Sequence, residues 1–322
     1  MNILVIGGTV FIGRAVVEEL VEAGHDVCVV HRGEHEPDDF PPVTHIHVDR
    51  ANLASKRDEV DAFAPEAVWD NFAMFRSHAR GTLDALGTDR RYVVTSSMDV
   101  YRAYGGLHAG KTTDAVPVDE TSPVRPERYP YRGQFPGMDD YDKLDVEETY
   151  LETGATILRL PMVYGPYDGQ RREEFVLRRV RAGRDKIPVG SGTWLGSKGF
   201  VGDIARGVRL AIEAGVRGEI FNLGETRTYP AALWAQMILD AAGSKAELVR
   251  VPDDKLPDDL GLLGAVPQHL LVDSSKARRA LGWSDTDASE ALRTSVAWHL
   301  EHPPPESSDD FSADDEALAA AV

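Results

Sequence analysis

Seven residues close to the N-terminus, Gly7-Gly8-Thr9-Val10-Phe11-Ile12-Gly13, have the types and spacing of an anion cradle. A diphosphate needs unblocked backbone N–H groups at the start of a helix, where the dipole favours negative charge. Glycine permits the tight turn, and a glycine at position 13 lets the following helix pack closely on the preceding strand. A glycine triplet alone means little. Here the apolar run Ile3-Leu4-Val5-Ile6 precedes it and the amphipathic stretch 13–23 follows it, which is the strand–turn–helix context the chemistry requires. Gly7, Gly8, Thr9, Phe11, Ile12 and Gly13 are therefore expected to hold the linked phosphates of a nicotinamide dinucleotide.

The end of the next strand separates two versions of that cofactor. A carboxylate there would accept hydrogen bonds from the ribose hydroxyls, whereas a cation would bind a 2′-phosphate. The chain offers His31-Arg32-Gly33 and no acid. Arg32 is a planar multi-donor cation suited to phosphate, so NADP is expected ahead of NAD. Other reactive residue types are read more plainly. His45 and His47 flank one strand residue but lack further ligands at useful spacing, and no metal site is expected. Arg171-Arg172 and Arg178-Arg179 stand beside Glu173 and Glu174 and are expected to form solvated ion pairs. Cys28, the single cysteine, excludes an internal disulfide and lies in Val27-Cys28-Val29-Val30 as a small buried hydrophobe.

These residues need a scaffold. Short apolar runs at 2–6, 26–31, 44–48, 67–71, 92–96 and 156–160 alternate with helix-length segments such as 13–23 and 142–152. Near-continuous apolar strands separated by helices predict an α/β fold, a doubly wound parallel (Rossmann) sheet covered on both faces, with its ligand beyond the carboxyl ends of the strands. Residues 103–140 are rich in Gly, Pro, Tyr and Arg, too long for a simple connection, and of the kind that carries function. The expected division is a nucleotide-binding domain over 1–166 and 198–224, and a smaller mixed C-terminal substrate lobe over 167–197 and 225–302. A disordered acidic tail is expected over 303–322.

Gly7–Gly13 resembles the fingerprint of the extended short-chain dehydrogenase/reductases, the NAD(P)-dependent epimerase/dehydratase family, with Val10 where many members carry the middle glycine. Thr95-Ser96-Ser97-Met98-Asp99-Val100-Tyr101 is similar to that family's serine-rich motif, and the resemblance puts the catalytic serine on Ser97. It also implies that Asp49 and Arg50 lie near the adenine, that Asn71, Phe72 and Ala73 line the cofactor, and that Val163 closes the nicotinamide side. The family's Tyr-x-x-x-Lys pair puts both side chains on one helical face. Its lysine holds the nicotinamide ribose and makes the phenol a general acid/base near neutrality. Lys143 and Glu147 match, but Asp139 stands four residues before Lys143 where the tyrosine belongs. Tyr141 is the first substitute if the helix begins after it. Tyr101 and Tyr131 are the others, and loss of the proton relay is the third outcome. Asp139 and Asp140 are good N-cap residues, favouring a late helix start.

Bulk composition narrows the function classes. The net charge of −18 argues against nucleic acid as a partner, because such binding needs a basic footprint. No stretch approaches the ~20 apolar residues of a membrane span, and Met1 leads straight into a strand with no leader, so a cytoplasmic protein is expected. The expected activity is NADP-dependent hydride chemistry on a hydroxyl- or carbonyl-bearing small molecule, a sugar-like one among the candidates, by reduction, epimerisation or dehydration. The alternative is a non-catalytic NADP-binding regulatory or scaffold protein. The family resemblance implies a homodimer.

Overall fold

A computed structural model describes residues 1–305 and 310–321. Its strands are β1 (Asn2–Ile6), β2 (Asp26–His31), β3 (Thr44–His47), β4 (Ala67–Asp70), β5 (Arg91–Ser97), β6 (Thr156–Leu160), β7 (Met162–Tyr164), β8 (Lys186–Val189), β9 (Lys198–Phe200), β10 (Ile220–Asn222) and β11 (Glu247–Arg250). The α-helices are α1 (Ile12–Glu22), α2 (Arg57–Phe63), α3 (Arg76–Leu86), α4 (Arg102–His108), α5 (Lys143–Leu151), α6 (Glu174–Arg181), α7 (Val201–Ala214), α8 (Ala231–Ala241), α9 (Ser275–Leu281), α10 (Ala288–Glu301) and α11 (Ser312–Ala319).

Seven strands form one parallel sheet in the order β10-β6-β5-β4-β1-β2-β3. The chain winds outward from β1 to β3, then returns to β4 and winds the other way. That reversal opens a crevice beyond the carboxyl ends of β1 and β4. The central strands are apolar on both faces because helices cover both. Val5, Val29 and Trp69 pack with α1 and α7 on one side, while Leu4, Cys28, Val68 and Tyr150 pack on the other. The six strands expected from sequence are all present, and β10 extends the sheet beyond them.

The rest of the chain has a core of its own, built by Trp194, Trp234, Ile238, Leu263 and Leu292 around the pairs β7–β9 and β8–β11. Part of the expected disordered tail is ordered. Residues 312–319 form α11, and Asp314 is buried in a forked ion pair with the fully buried Arg179 (2.7 Å at both contacts). The isolated composition of this segment concealed a partner 135 residues away. Residues 306–309 and 322 of that tail lie outside the described residues.

Candidate active site

The carboxyl ends of the central strands open on a cleft of about 770 Å³. The glycine turn forms its floor. Gly7 has φ +86°, and a Cβ at Gly13 would lie 2.3 Å from Gly7 O, so no other residue fits there without moving the helix. Gly8 instead packs beneath Val5, Val17 and Val29, where a Cβ would meet methyl carbons at 2.8–3.0 Å. Asn71 Nδ2 donates to Gly7 O (3.0 Å), tying the end of β4 to the turn. Helix α1 starts at Phe11–Ile12 with no side-chain cap, leaving its N-terminus directed at the cleft. An uncapped helix start above a turn that excludes Cβ atoms suits the diphosphate of a dinucleotide.

Gly7, Thr9, Phe11, Ile12, Arg32, Asp49, Arg50, Asn71, Phe72, Ser97, Lys143 and Val163 all line this cleft. Gly8, Gly13 and Ala73 lie behind the lining. Arg32 is more than half exposed at the mouth and pairs with Glu34 (2.9 Å). Asp49 accepts from Ala51 N (2.8 Å) and caps its own turn. Arg50 lies at the cleft beside Asp49, as the resemblance implied, with its guanidinium turned inward. Its guanidinium forks onto Asp70 (3.2 and 2.7 Å) and donates to Thr82 Oγ1 (3.0 Å), so its charge is spent inside the protein. Burial would raise the Asp70 carboxyl, but Arg50 and the Tyr150 hydroxyl (2.6 Å) hold it below its ordinary value.

At the other end of the cleft, Lys143 and Ser97 come together. Lys143 Nζ donates to the carbonyls of Ala73 (2.8 Å) and Thr95 (3.1 Å), which leaves one N–H for the cleft. Burial pushes this ammonium down to about 8, against the opposing pull of Asp99. Ser97 Oγ accepts from Asp99 N (3.2 Å), leaving its O–H as a donor to a bound oxygen. The strand and helix carrying them are locked by a buried fork: Arg159 donates to both oxygens of Glu147 (2.9 and 2.7 Å), which also accepts from Ser96 Oγ (2.6 Å).

Helix α5 begins at Lys143, capped by Asp142, whose carboxylate accepts from Leu144 N (2.9 Å) and from Arg125 (2.6 Å). Tyr141 therefore lies before the helix, as a late start requires, but the cap is Asp142 and neither Asp139 nor Asp140. The expected role of Tyr141 is corrected by its surroundings. It is buried behind the lining and its hydroxyl donates to Asp99 Oδ2 (2.6 Å). Burial and the neighbouring carboxyl drive the phenol far up, the reverse of an activated acid/base. Tyr101 is also buried, donating to Asn222 Oδ1 (2.7 Å), and Tyr131 packs on the Tyr141 ring (centroids 5.1 Å). Among the described residues no tyrosine lines the cleft.

Three residues are more prominent than their sequence context suggested. Asp99 is buried, held above its ordinary value by that burial, and its Oδ1 has no hydrogen-bond partner. Its only sequence signal was an acid inside the serine-rich motif. Gln170 and the exposed Arg172 reach the cleft from the loop after β7. Arg172 is thus separated from Arg178 and Arg179, which bind Asp259 at 2.9 and 2.7 Å. Lys198 is withdrawn, half-buried 4.4 Å from the Trp234 ring centre.

Residues 3–224 match the NAD dependent epimerase/dehydratase family, and the chain belongs to it. It is an enzyme of the epimerase/dehydratase type that depends on a nicotinamide dinucleotide. The chain is 28% identical over 341 residues to the chloroplast stem-loop binding protein of 41 kDa b from Arabidopsis thaliana, covering 99% of this chain and 84% of that protein. It is 25% identical to a dTDP-glucose 4,6-dehydratase of Neisseria gonorrhoeae, over 94% of this chain and 96% of that one. The fold superposes on UDP-glucose 4-epimerase of Thermotoga maritima with a TM-score of 0.71 at 22% identity, covering 94% and 99% of the two chains.

Proposed function

We propose that the protein is an NADP-preferring cytoplasmic enzyme, assembled as a homodimer, that performs hydride chemistry on a hydroxyl- or carbonyl-bearing carbon of a sugar-like small molecule. The observation that carries this is the placement of Ser97 and Lys143 on the same cleft as the glycine turn, each with an unspent donor. The bound dinucleotide supplies the hydride donor or acceptor. Ser97 donates to the substrate oxygen as its charge changes, a preorganised contact that strengthens toward the transition state. Lys143 holds positive charge beside it in a buried setting, where the low dielectric makes that charge effective. Tyr141 acts indirectly in this proposal, by fixing Asp99 and through it the Ser97 loop. Arg172 supplies a cation for an anionic part of the substrate, in keeping with the sugar nucleotides named for several relatives. Arg32 favours the 2′-phosphate of NADP.

The test is to follow nicotinamide absorbance with NADP(H) and NAD(H) across carbonyl compounds and sugar nucleotides, in the wild type and in Ser97→Ala and Lys143→Ala. Activity lost in both variants supports the assignment, and activity unchanged in both defeats it. A second reading, a non-catalytic NADP-binding protein, is favoured by the sealing of Tyr141 against Asp99. Tight NADP binding without turnover of any carbonyl or hydroxyl compound would select it. Static light scattering tests the dimer.

A further inference from the structure

At the outer edge of the sheet the parallel register sets three imidazoles side by side. His31 at the end of β2 pairs in register with His47 on β3, and His45 lies two residues before His47. Register partners in adjacent strands, and residues i and i+2 of one strand, point to the same face. Glu36, from the connection between β2 and β3, reaches back over that face. One ligand atom from each of these four residues lies within 4.8 Å of all the others. His31 Nε2 is 2.8 Å from His45 Nδ1 and 3.0 Å from Glu36 Oε1, and His45 Nδ1 is 3.5 Å from the same oxygen. His47 Nε2 also contacts Glu36 Oε1.

We propose that His31, His45, His47 and Glu36 form a binding site for one divalent transition-metal ion of the zinc class. Three ring nitrogens and one carboxylate oxygen are the donors that such borderline ions take, in a four-coordinate set. Bonds of about 2.0–2.2 Å would place tetrahedral ligand atoms roughly 3.3–3.6 Å apart, against 2.8, 3.0 and 3.5 Å in three of the pairs here and no more than 4.8 Å in any. Hydrogen bonding alone serves the cluster poorly, because three rings converge on one carboxylate oxygen while two of their nitrogens face each other. A cation engages all four lone pairs at once.

The surroundings support the site. His31 is buried, His45 largely so, while His47 and Glu36 are open enough to admit an ion. Phe40 covers the His45 ring (centroids 5.9 Å). Asp39 forks onto Arg14 of α1 (3.0 and 2.8 Å), which holds the Glu36 loop over the strands. One contact must give way: Gly33 N donates to His31 Nδ1 (3.2 Å). Coordination through Nε2 moves the ring's one proton to Nδ1, which then donates, so that amide must release. His31 itself lines the cofactor cleft, as do Arg32, Glu34 and His35 of the connection that follows it, and the metal would fix the adenosine end of the cleft.

The experiment is independent of catalysis. Untagged full-length protein, treated with chelator and desalted, is titrated with ZnCl2 by calorimetry, and separately with CoCl2 while visible absorbance is recorded. The expected result is one Zn2+ per chain and the intense visible bands of four-coordinate Co2+. His45→Ala/His47→Ala should bind Zn2+ at least 100-fold more weakly, and Glu36→Gln about 10-fold more weakly. Equal zinc affinity in wild type and double variant overturns the proposal, as does a wild-type Co2+ spectrum no different from the free hydrated ion. The spectrum decides the matter should the double variant fail to fold. NADP affinity measured alongside keeps failure here distinct from failure of the cofactor assignment.

Discussion

Gly13→Ala adds one methyl group at the point where the diphosphate cradle is tightest. Its Cβ would lie 2.3 Å from Gly7 O and 2.9 Å from Gly8 Cα, both backbone atoms that cannot rotate away. That is roughly 1 Å short of ordinary van der Waals contact. Helix α1 cannot yield freely, since Val16, Val17 and Leu20 are fully buried against the sheet and α7. Overpacking of this kind costs about 1–3 kcal/mol, or about 2–6 °C in Tm at roughly 2 °C per kcal/mol for a chain of this size. The effect on binding should be larger. Opening the turn by a large fraction of an ångström breaks at least one charge-assisted N–H contact to phosphate, worth about 1.5–3 kcal/mol, so Kd for the dinucleotide should rise about 10- to 150-fold. Calorimetric titration and a thermal melt measure the two effects. Gly81→Ala is the control, because Gly81 lies inside α3 with nothing within 4 Å of its Cβ position. It should gain about 0.5–1 kcal/mol with no change in affinity. A folded Gly13→Ala protein that binds NADP and NAD as well as the wild type would refute the cradle.

Arg32→Ala removes a half-exposed cation whose surface pair with Glu34 contributes little. NADP should bind about 10-fold more weakly while NAD stays within twofold, and equal losses for both would exclude the 2′-phosphate contact. Glu147→Ala strands Arg159 in the core without its counter-charge, a loss of about 3–5 kcal/mol in chemical denaturation; a change under 1 kcal/mol would contradict the buried fork. Burial pushes Glu225 up to about 7 from an ordinary 4.5, against the opposing effects of Tyr164 and Lys198. Between those values the folded state holds more protons than the unfolded one. The contribution of Glu225 is therefore fully present below about pH 4.5 and is lost as pH rises to about 7. Glu225→Gln should flatten the fall in stability from pH 5 to 7.5, and an unchanged slope would rule out this titration. With a net charge of −18, Tm should rise from low to molar salt as self-repulsion is screened; a flat Tm would show that repulsion is not limiting.

The sheet was legible because its strands are buried on both faces and read as unbroken apolar runs: β1, β2 and β6 begin and end at the expected residues. The three-residue β10 was too short to stand out, and its placement depends on pairing with β6, far away in the chain. The glycine cradle was legible because its requirement is local, a positive φ at Gly7 and a missing Cβ at Gly13. What could not be read were contacts between distant residues. Arg50, at the cleft, is paired with Asp70, and Arg179 with Asp314. The two histidines at 45 and 47 acquired His31 and Glu36 only through strand register and a returning loop.

The missing tyrosine follows from where α5 starts. A Tyr-x-x-x-Lys pair shares a face only if both residues lie on the same helix, and here Lys143 is the first helical residue. Asp142 fixes that boundary from three sides, accepting from Leu144 N within the helix and from the buried Arg125 and Tyr129 N of the long loop. Residue 139 consequently sits in a turn, where its side chain accepts from Gly133 N (2.9 Å), and a phenol at that position would have no helical geometry to aim it. Restoring tyrosine there would not restore the pair. Behind the lining, Asp99 receives Tyr141 on one oxygen and leaves the other bare, while its backbone N–H sets Ser97. Ser97, Lys143 and His78 line the cleft itself, and Asp99 is the buried carboxyl just behind Ser97. Asp99→Asn tests its part in proton movement, since it keeps the shape and the Tyr141 contact but removes the proton-accepting carboxyl. A shifted pH profile with cofactor affinity intact would place Asp99 in the proton path, and an unshifted profile would confine it to holding Ser97 in place.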